Sequence, residues 1–202
     1  MTSTVAREPA PLGEYCLPEH HWRRDYPLLG DYKEHSDSFR PVFLINDIAR
    51  LWKTLCVNYE AYTERQPDEK RAKRKLMNYK LKHSRVLTCY SAILYLMQVF
   101  SEKKSVHPDD VRSMVNTSPT ERLEWIAGRS GFAHTSIVSR ILECYEQFLE
   151  RTNKSEDELI ALFVERRRAN EFTKAASAVG NGVAELLQKM GEENELYRYL
   201  IV

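Results

Sequence analysis

Residues 86–100 read "VLTCYSAILYLMQVF", fifteen positions without a charge. The run falls short of the roughly 18 apolar residues that cross a bilayer. It is also too continuous for a helix with one wet face. The basic segment before it, "KRAKRKLMNYKLKHSR", extends the helical reading back to about Asp68. A helix whose second half is apolar on nearly every side has to be surrounded, which makes it the central element of an all-α fold.

The rest of the chain supplies the surround. Ile45, Ile48, Ala49, Trp52, Leu55, Cys56, Tyr59 and Tyr62 recur at three- and four-residue steps, which predicts a helix from Pro41, in its first turn, to about Glu64. Ile137, Val138, Ile141, Leu142, Tyr145, Phe148 and Leu149 mark a second helix, ending near Asn153. A last long one starts at the capping box of Ser155 and Glu158 and carries apolar residues from Leu159 to Met190. Gly180 and Gly182 inside it predict a kink, a tight helix crossing or a break. Between these lie two short helices, "HPDDVRSMVN" and "SPTERLEWIAG", each with an early proline, the second with the capping-box pair Ser118 and Glu121. "ENELYRYLIV" closes the chain as a short helix or an extended piece. Strand patterns and internal repeats are absent from the sequence. The fold class expected is therefore an all-α helical bundle of about four long helices plus short connecting helices. Residues 1–40 form an N-terminal tail with a short helix or loop, and residues 41–202 form the bundle domain.

Charge excludes little. Thirty basic and 29 acidic residues leave a net +1, so any surface for an anionic partner has to be local. The N-terminus lacks the apolar core of a signal peptide, and no window is long enough to span a membrane. A cytoplasmic location is the expectation. Cys16, Cys56, Cys89 and Cys144 are far apart, as reduced thiols would be. Cys16 with His20 and His21 lacks the second ligand pair of a structural zinc site, so no metal is expected in this chain. Surface or capping roles suffice for most of the six histidines.

The polar groups of the first helical hairpin are more informative. Asn46, Arg50, Lys53 or Thr54, and Asn58 sit beside or opposite the apolar stripe of the first helix, and Arg74, Asn78 and Arg85 share a side of the second at spacings of four and seven. Arg50 and Arg85 lie next to large apolar residues, where a guanidinium calls for a partner, and Asp47 is within reach of Arg50.

"FRPVFLINDIARLWKTLCVNYEAY", with "KRKLMNYKLKHSRVLTCYSAILYL" after it, resembles the C-terminal helical region of bacterial nucleotidyltransferases of the DNA polymerase beta-like superfamily. The residues that carry the likeness are Asn46, Asp47, Arg50, Trp52, Lys53 and Thr54, then Asn78, Lys80, Ser84 and Arg85, and it extends over about residues 39–97. The superfamily's Gly-Ser turn and D-x-D pair, which hold the triphosphate and divalent metal, have no counterpart here. The resemblance thus implies a non-catalytic module for substrate binding or partner docking. Its partner would be a nucleotidyltransferase catalytic domain or another protein, and Mg2+ and a nucleoside triphosphate would enter with that domain. Arg50, Lys53, Lys80 and Arg85 become candidates for phosphate or acidic contacts, and Asn46, Asp47 and Asn78 for orienting them.

Two other readings stand beside it. Arg129 and His134 in "GRSGFAH" have the R-x4-H spacing of HEPN ribonucleases, which would make them a catalytic pair acting on RNA. A helical adaptor or antitoxin-type protein would instead dock through its apolar stripes, as a homo-oligomer or onto a partner. The basic run 69–75, "EKRAKRK", offers contacts to RNA or DNA phosphates.

Overall fold

The computed structural model describes residues 35–60, 68–129, 131–192 and 194–200. Eight α-helices account for most of them: α1 (Val42–Glu60), α2 (Asp68–Lys80), α3 (Val86–Lys103), α4 (Pro108–Asn116), α5 (Pro119–Ala127), α6 (Phe132–Thr152), α7 (Glu156–Val164) and α8 (Arg166–Gly191). A π turn, Leu81–Arg85, joins α2 to α3, and a 3-10 helix, Glu195–Leu200, ends the described chain. Among the described residues there is no strand, and the all-α bundle is as expected. Residues 1–34 of the expected tail, with the cysteine–histidine group at Cys16, His20 and His21, lie outside the described residues, as does the stretch 61–67.

α3 takes the central place. Thirteen of its 18 residues are buried, and it packs against α1 and the 3-10 helix, against α4 and α5, and against α8. Two apolar clusters meet on it. Val86, Leu87 and Leu94 join a cluster that includes Leu76, Ile141, Tyr145, Phe148 and Val183. Ile93, Leu96, Met97 and Phe100 join another with Ile45, Ile48, Met114 and Leu196.

The short helices begin as their caps require. Ser118 Oγ accepts the Glu121 N–H while the Glu121 carboxylate accepts the Ser118 N–H at 2.8 Å, and Ser155 with Glu158 repeats the arrangement. Each box satisfies donors that the first turn leaves without intrahelical partners. Residues 35–40 are anchored too: the Ser105 hydroxyl donates to Ser36 O at 2.6 Å and accepts the Phe39 N–H at 3.1 Å, and Val106 N–H donates to Phe39 O.

Two departures from the sequence pattern concern the continuity of the long helices. The expected unbroken helix from Asp68 to Phe100 contains the π turn. The long C-terminal helix breaks at Glu165, whose extended backbone (ψ 107°) separates α7 from α8. Of the outcomes expected at Gly180–Gly182, the tight crossing is the one found: the helix continues through them, and a β-carbon on Gly182 would come within 2.7 Å of the Ile141 side chain on α6. Gly180 has open space around its Cα. Alanine should therefore act oppositely at the two sites. Gly180→Ala is expected to stabilise by up to ~1 kcal/mol through helix propensity, and Gly182→Ala to destabilise by about 1–2 kcal/mol through overpacking. Urea midpoints of the two variants check this; a shift in the same direction for both would refute the crossing.

Candidate functional site

On α1 the polar candidates lie on the side away from the core. Phe43, Asp47, Arg50, Thr54 and Val57 follow one another at steps of four and three residues, and all five are exposed, with Lys53 beside them. Asn46 is half-buried at the margin of this stripe. The inner side of α1 holds Ile45 and Ile48, fully or nearly buried, and Trp52, edge-on to Tyr90 of α3 with ring centres 6.0 Å apart. Arg50 does pair with Asp47, at 3.0 Å, but the two side chains are 73% and 67% exposed. This corrects the idea that the pair is sheltered among apolar neighbours. Exposed pairs at this spacing contribute a few tenths of a kcal/mol, so a double-mutant cycle on Asp47→Ala and Arg50→Ala is expected to give coupling below ~0.5 kcal/mol.

α2 turns Ala72, Leu76 and Tyr79 inward and packs along α7. Lys80 is exposed at its end and Asn78 half-buried. The π turn then alters the phase. A π turn adds about one residue to a helical turn, so the helix beyond it is rotated by about 100°, one residue's share of a 3.6-residue turn. Asn78 and Arg85 are consequently not stacked on one side, as a spacing of seven in an α-helix would place them. Arg85, half-buried, closes the turn, and the turn itself packs against α1 and α8.

Inside the π turn sits a residue the sequence pattern did not single out. His83 is 1% exposed, stacked on Phe148 of α6 with ring centres 4.5 Å apart and planes 11° apart. Its Nδ1 lies 2.9 Å from Tyr79 O, the geometry of a neutral ring donating to that carbonyl. Tyr79 in turn meets Phe163 of α7 and Phe172 of α8. Burial pulls the His83 pKa down to about 4, against the Tyr79 backbone hydrogen bond, and the Arg151 cation lowers it further. Burial also raises the Tyr79 hydroxyl above its ordinary value, with Arg151 acting in the opposite direction. π turns are frequent at functional sites, but this imidazole is packed into the core, unlike the surface or capping role expected of most histidines.

Arg129 and His134 flank the turn between α5 and α6. The Arg129 guanidinium lies 4.1 Å over the Trp125 ring, with Nε 3.9 Å from Glu102. Trp125 also stacks on Tyr95 of α3 at 4.3 Å. Two planar groups this close to one ring centre cannot share a face, so the indole is clasped between them. His134 is half-buried in the first turn of α6, its N–H bonded to Gly131 O, and the Thr135 hydroxyl ties α6 to Ala127 O. What the arrangement does is fasten the turn onto α3.

A buried cation was also missed. Arg122 of α5 is fully buried; its Nε donates to Met114 O at 2.8 Å, and one terminal nitrogen reaches Thr88 O and Ser91 Oγ at 3.3 and 3.2 Å. It shares the buried side of α5 with Pro119, Leu123 and Ile126, and its spacing from them was the available signal.

Among the described residues, no three His, Cys, Asp or Glu side chains gather as a metal site, and no helix is long and apolar enough to cross a membrane. No protein-family model, curated protein or solved structure matches the chain.

Proposed function

We propose that the chain is a non-catalytic docking module, the helical part of a nucleotidyltransferase-like assembly, and that it holds its partner through the outward stripe of α1. The observation that carries this reading is the exposure of Phe43, at 70%, and Val57, at 63%, on one line with Asp47 and Arg50. Large apolar anchors among charged groups are what a protein interface desolvates on binding, while the charges fix its register. The sequence resemblance supports a catalytic domain with a Gly-Ser turn and a D-x-D pair as the partner. The triphosphate and Mg2+ belong to that domain.

The test takes a nucleotidyltransferase domain carrying those two motifs from the same genome, purified separately and mixed with the chain. A one-to-one complex on a sizing column is expected, with affinity falling at least tenfold when Phe43→Ser and Val57→Ser are combined. Separate elution of the two proteins, or a complex indifferent to those substitutions, would overturn the proposal.

A further inference from the structure

The cations of α2 and the π turn are segregated from the rest of the chain. Residues 70–85 hold eight of its 30 basic residues and none of its 29 acidic ones, leaving 22 basic against 29 acidic residues elsewhere. A protein with a net charge near zero thus carries one strongly positive strip on an otherwise negative body. At 1.5 Å per helical residue the strip runs along roughly 22 Å of axis. On its α7 side Lys73 pairs with Glu156 at 2.8 Å. Lys70, Lys75 and Lys82 pair with no described residue.

The surroundings choose among polyanions. A helix that lies on a membrane buries an apolar face in the lipid, but Ala72, Leu76, Tyr79 and His83 are already inside the protein. An acidic protein partner would find one exposed apolar anchor here, Met77. Single-stranded nucleic acid is held mainly by stacking bases on aromatic rings, and the outward face of α2 presents none among its described side chains. What remains suited to an outward band of cations on α2 and the π turn is the phosphate backbone of a nucleic acid.

We propose that α2 and the π turn form a binding strip for the sugar-phosphate backbone of double-stranded nucleic acid, engaged without regard to base sequence. This goes beyond docking through α1 and uses a different surface.

Fluorescent 20-base-pair duplexes of DNA and of RNA, and a 20-nucleotide single strand, provide the test with the full chain. Both duplexes should bind at 50 mM KCl and more tightly than the single strand. Affinity should fall about a hundredfold by 200 mM KCl if about four phosphates are neutralised. Combining Lys70→Ala, Lys75→Ala and Lys82→Ala should weaken binding at least tenfold at 50 mM and make the log–log salt slope shallower by about 2.7. A control with the same charge change at exposed sites on other elements, Arg112→Ala, Lys154→Ala and Arg198→Ala, should stay within twofold of wild type. If the triple strip variant does not fold, Lys70→Ala alone, at an exposed position, should make the slope shallower by about one.

Absence of duplex binding at 50 mM, or equal loss in strip and control variants, would overturn the proposal. So would tighter strip-dependent binding to anionic phospholipid vesicles, or a self-association that the strip variant dissolves. The Phe43→Ser, Val57→Ser variant should bind duplex as wild type does, which keeps this result separate from that of the docking test.

Discussion

Replacing Arg122 with alanine is expected to lower stability by about 4 kcal/mol, the largest single effect at any polar residue of the fold. The guanidinium is fully buried and donates to the carbonyls of Met114 and Thr88 and to the Ser91 hydroxyl. Met114 O belongs to the last turn of α4 and also accepts the Thr117 N–H, so Arg122 adds a charged donor at the end of α4 and pins α5 to α3 at once. Hydrogen bonds from a charged donor contribute about 1.5–3 kcal/mol each. Truncation also leaves a cavity. Desolvation of the cation itself opposes these gains, which is why the expected sum is not larger. Arg122→Met, which refills the space without the donors, should cost about 2 kcal/mol less than alanine. Urea unfolding measures both, and a loss below ~1 kcal/mol for the alanine variant would show that Arg122 is not a keystone.

The second large effect depends on pH. His83 has an ordinary pKa of 6.5 when unfolded and about 4 in the folded chain. The unfolded state therefore binds a proton that the native state refuses between these values, and stability falls as pH drops. The neutral-ring contribution is whole above pH 6.5 and declines through the window down to about pH 4, by about 3 kcal/mol in total. The groups facing the ring explain the refusal: Phe148 covers one face, Tyr79 packs against it, and Arg151 adds like charge. Unfolding free energies of wild type and His83→Leu, measured from pH 7 to pH 4.5, should converge as pH falls. Glu121, Glu156 and Glu158 have pKa values held below the usual carboxylate range by their cap and Lys73 hydrogen bonds. They are common to both proteins and cancel in the difference. Parallel pH curves would refute the assignment.

The bundle was legible because hydrophobic period carries helix position, length and inner face, and because Ser118, Ser155 and the early prolines mark their own helix starts. The central place of α3 followed from its having no wet side. The π turn was not legible, since a change of hydrogen-bond register leaves no trace in residue type, and with it went the relation between Asn78 and Arg85. The break at Glu165 was hidden in the same way, with neither glycine nor proline to announce it. Arg122 and His83 could have been found: each lies at the spacing of its helix's buried residues, 119, 123 and 126 for one and 72, 76 and 79 for the other. A cation or an imidazole on such a stripe reads as solvent-facing until neighbouring acceptors or rings are known. The stripe of α1 posed the converse difficulty, because Phe43 and Val57 resemble core residues by type although they fall off the period of Ile45, Ile48 and Trp52, and the packing shows them outward.

Finally, α3 belongs to both apolar clusters, so neither can come apart without uncovering it. Its amide hydrogens have no shallow opening through which to meet solvent deuterium. Exchange over residues 86–100 should accordingly be the slowest in the chain and report the free energy of global unfolding, while the termini of α1 and α7 exchange through small local fluctuations.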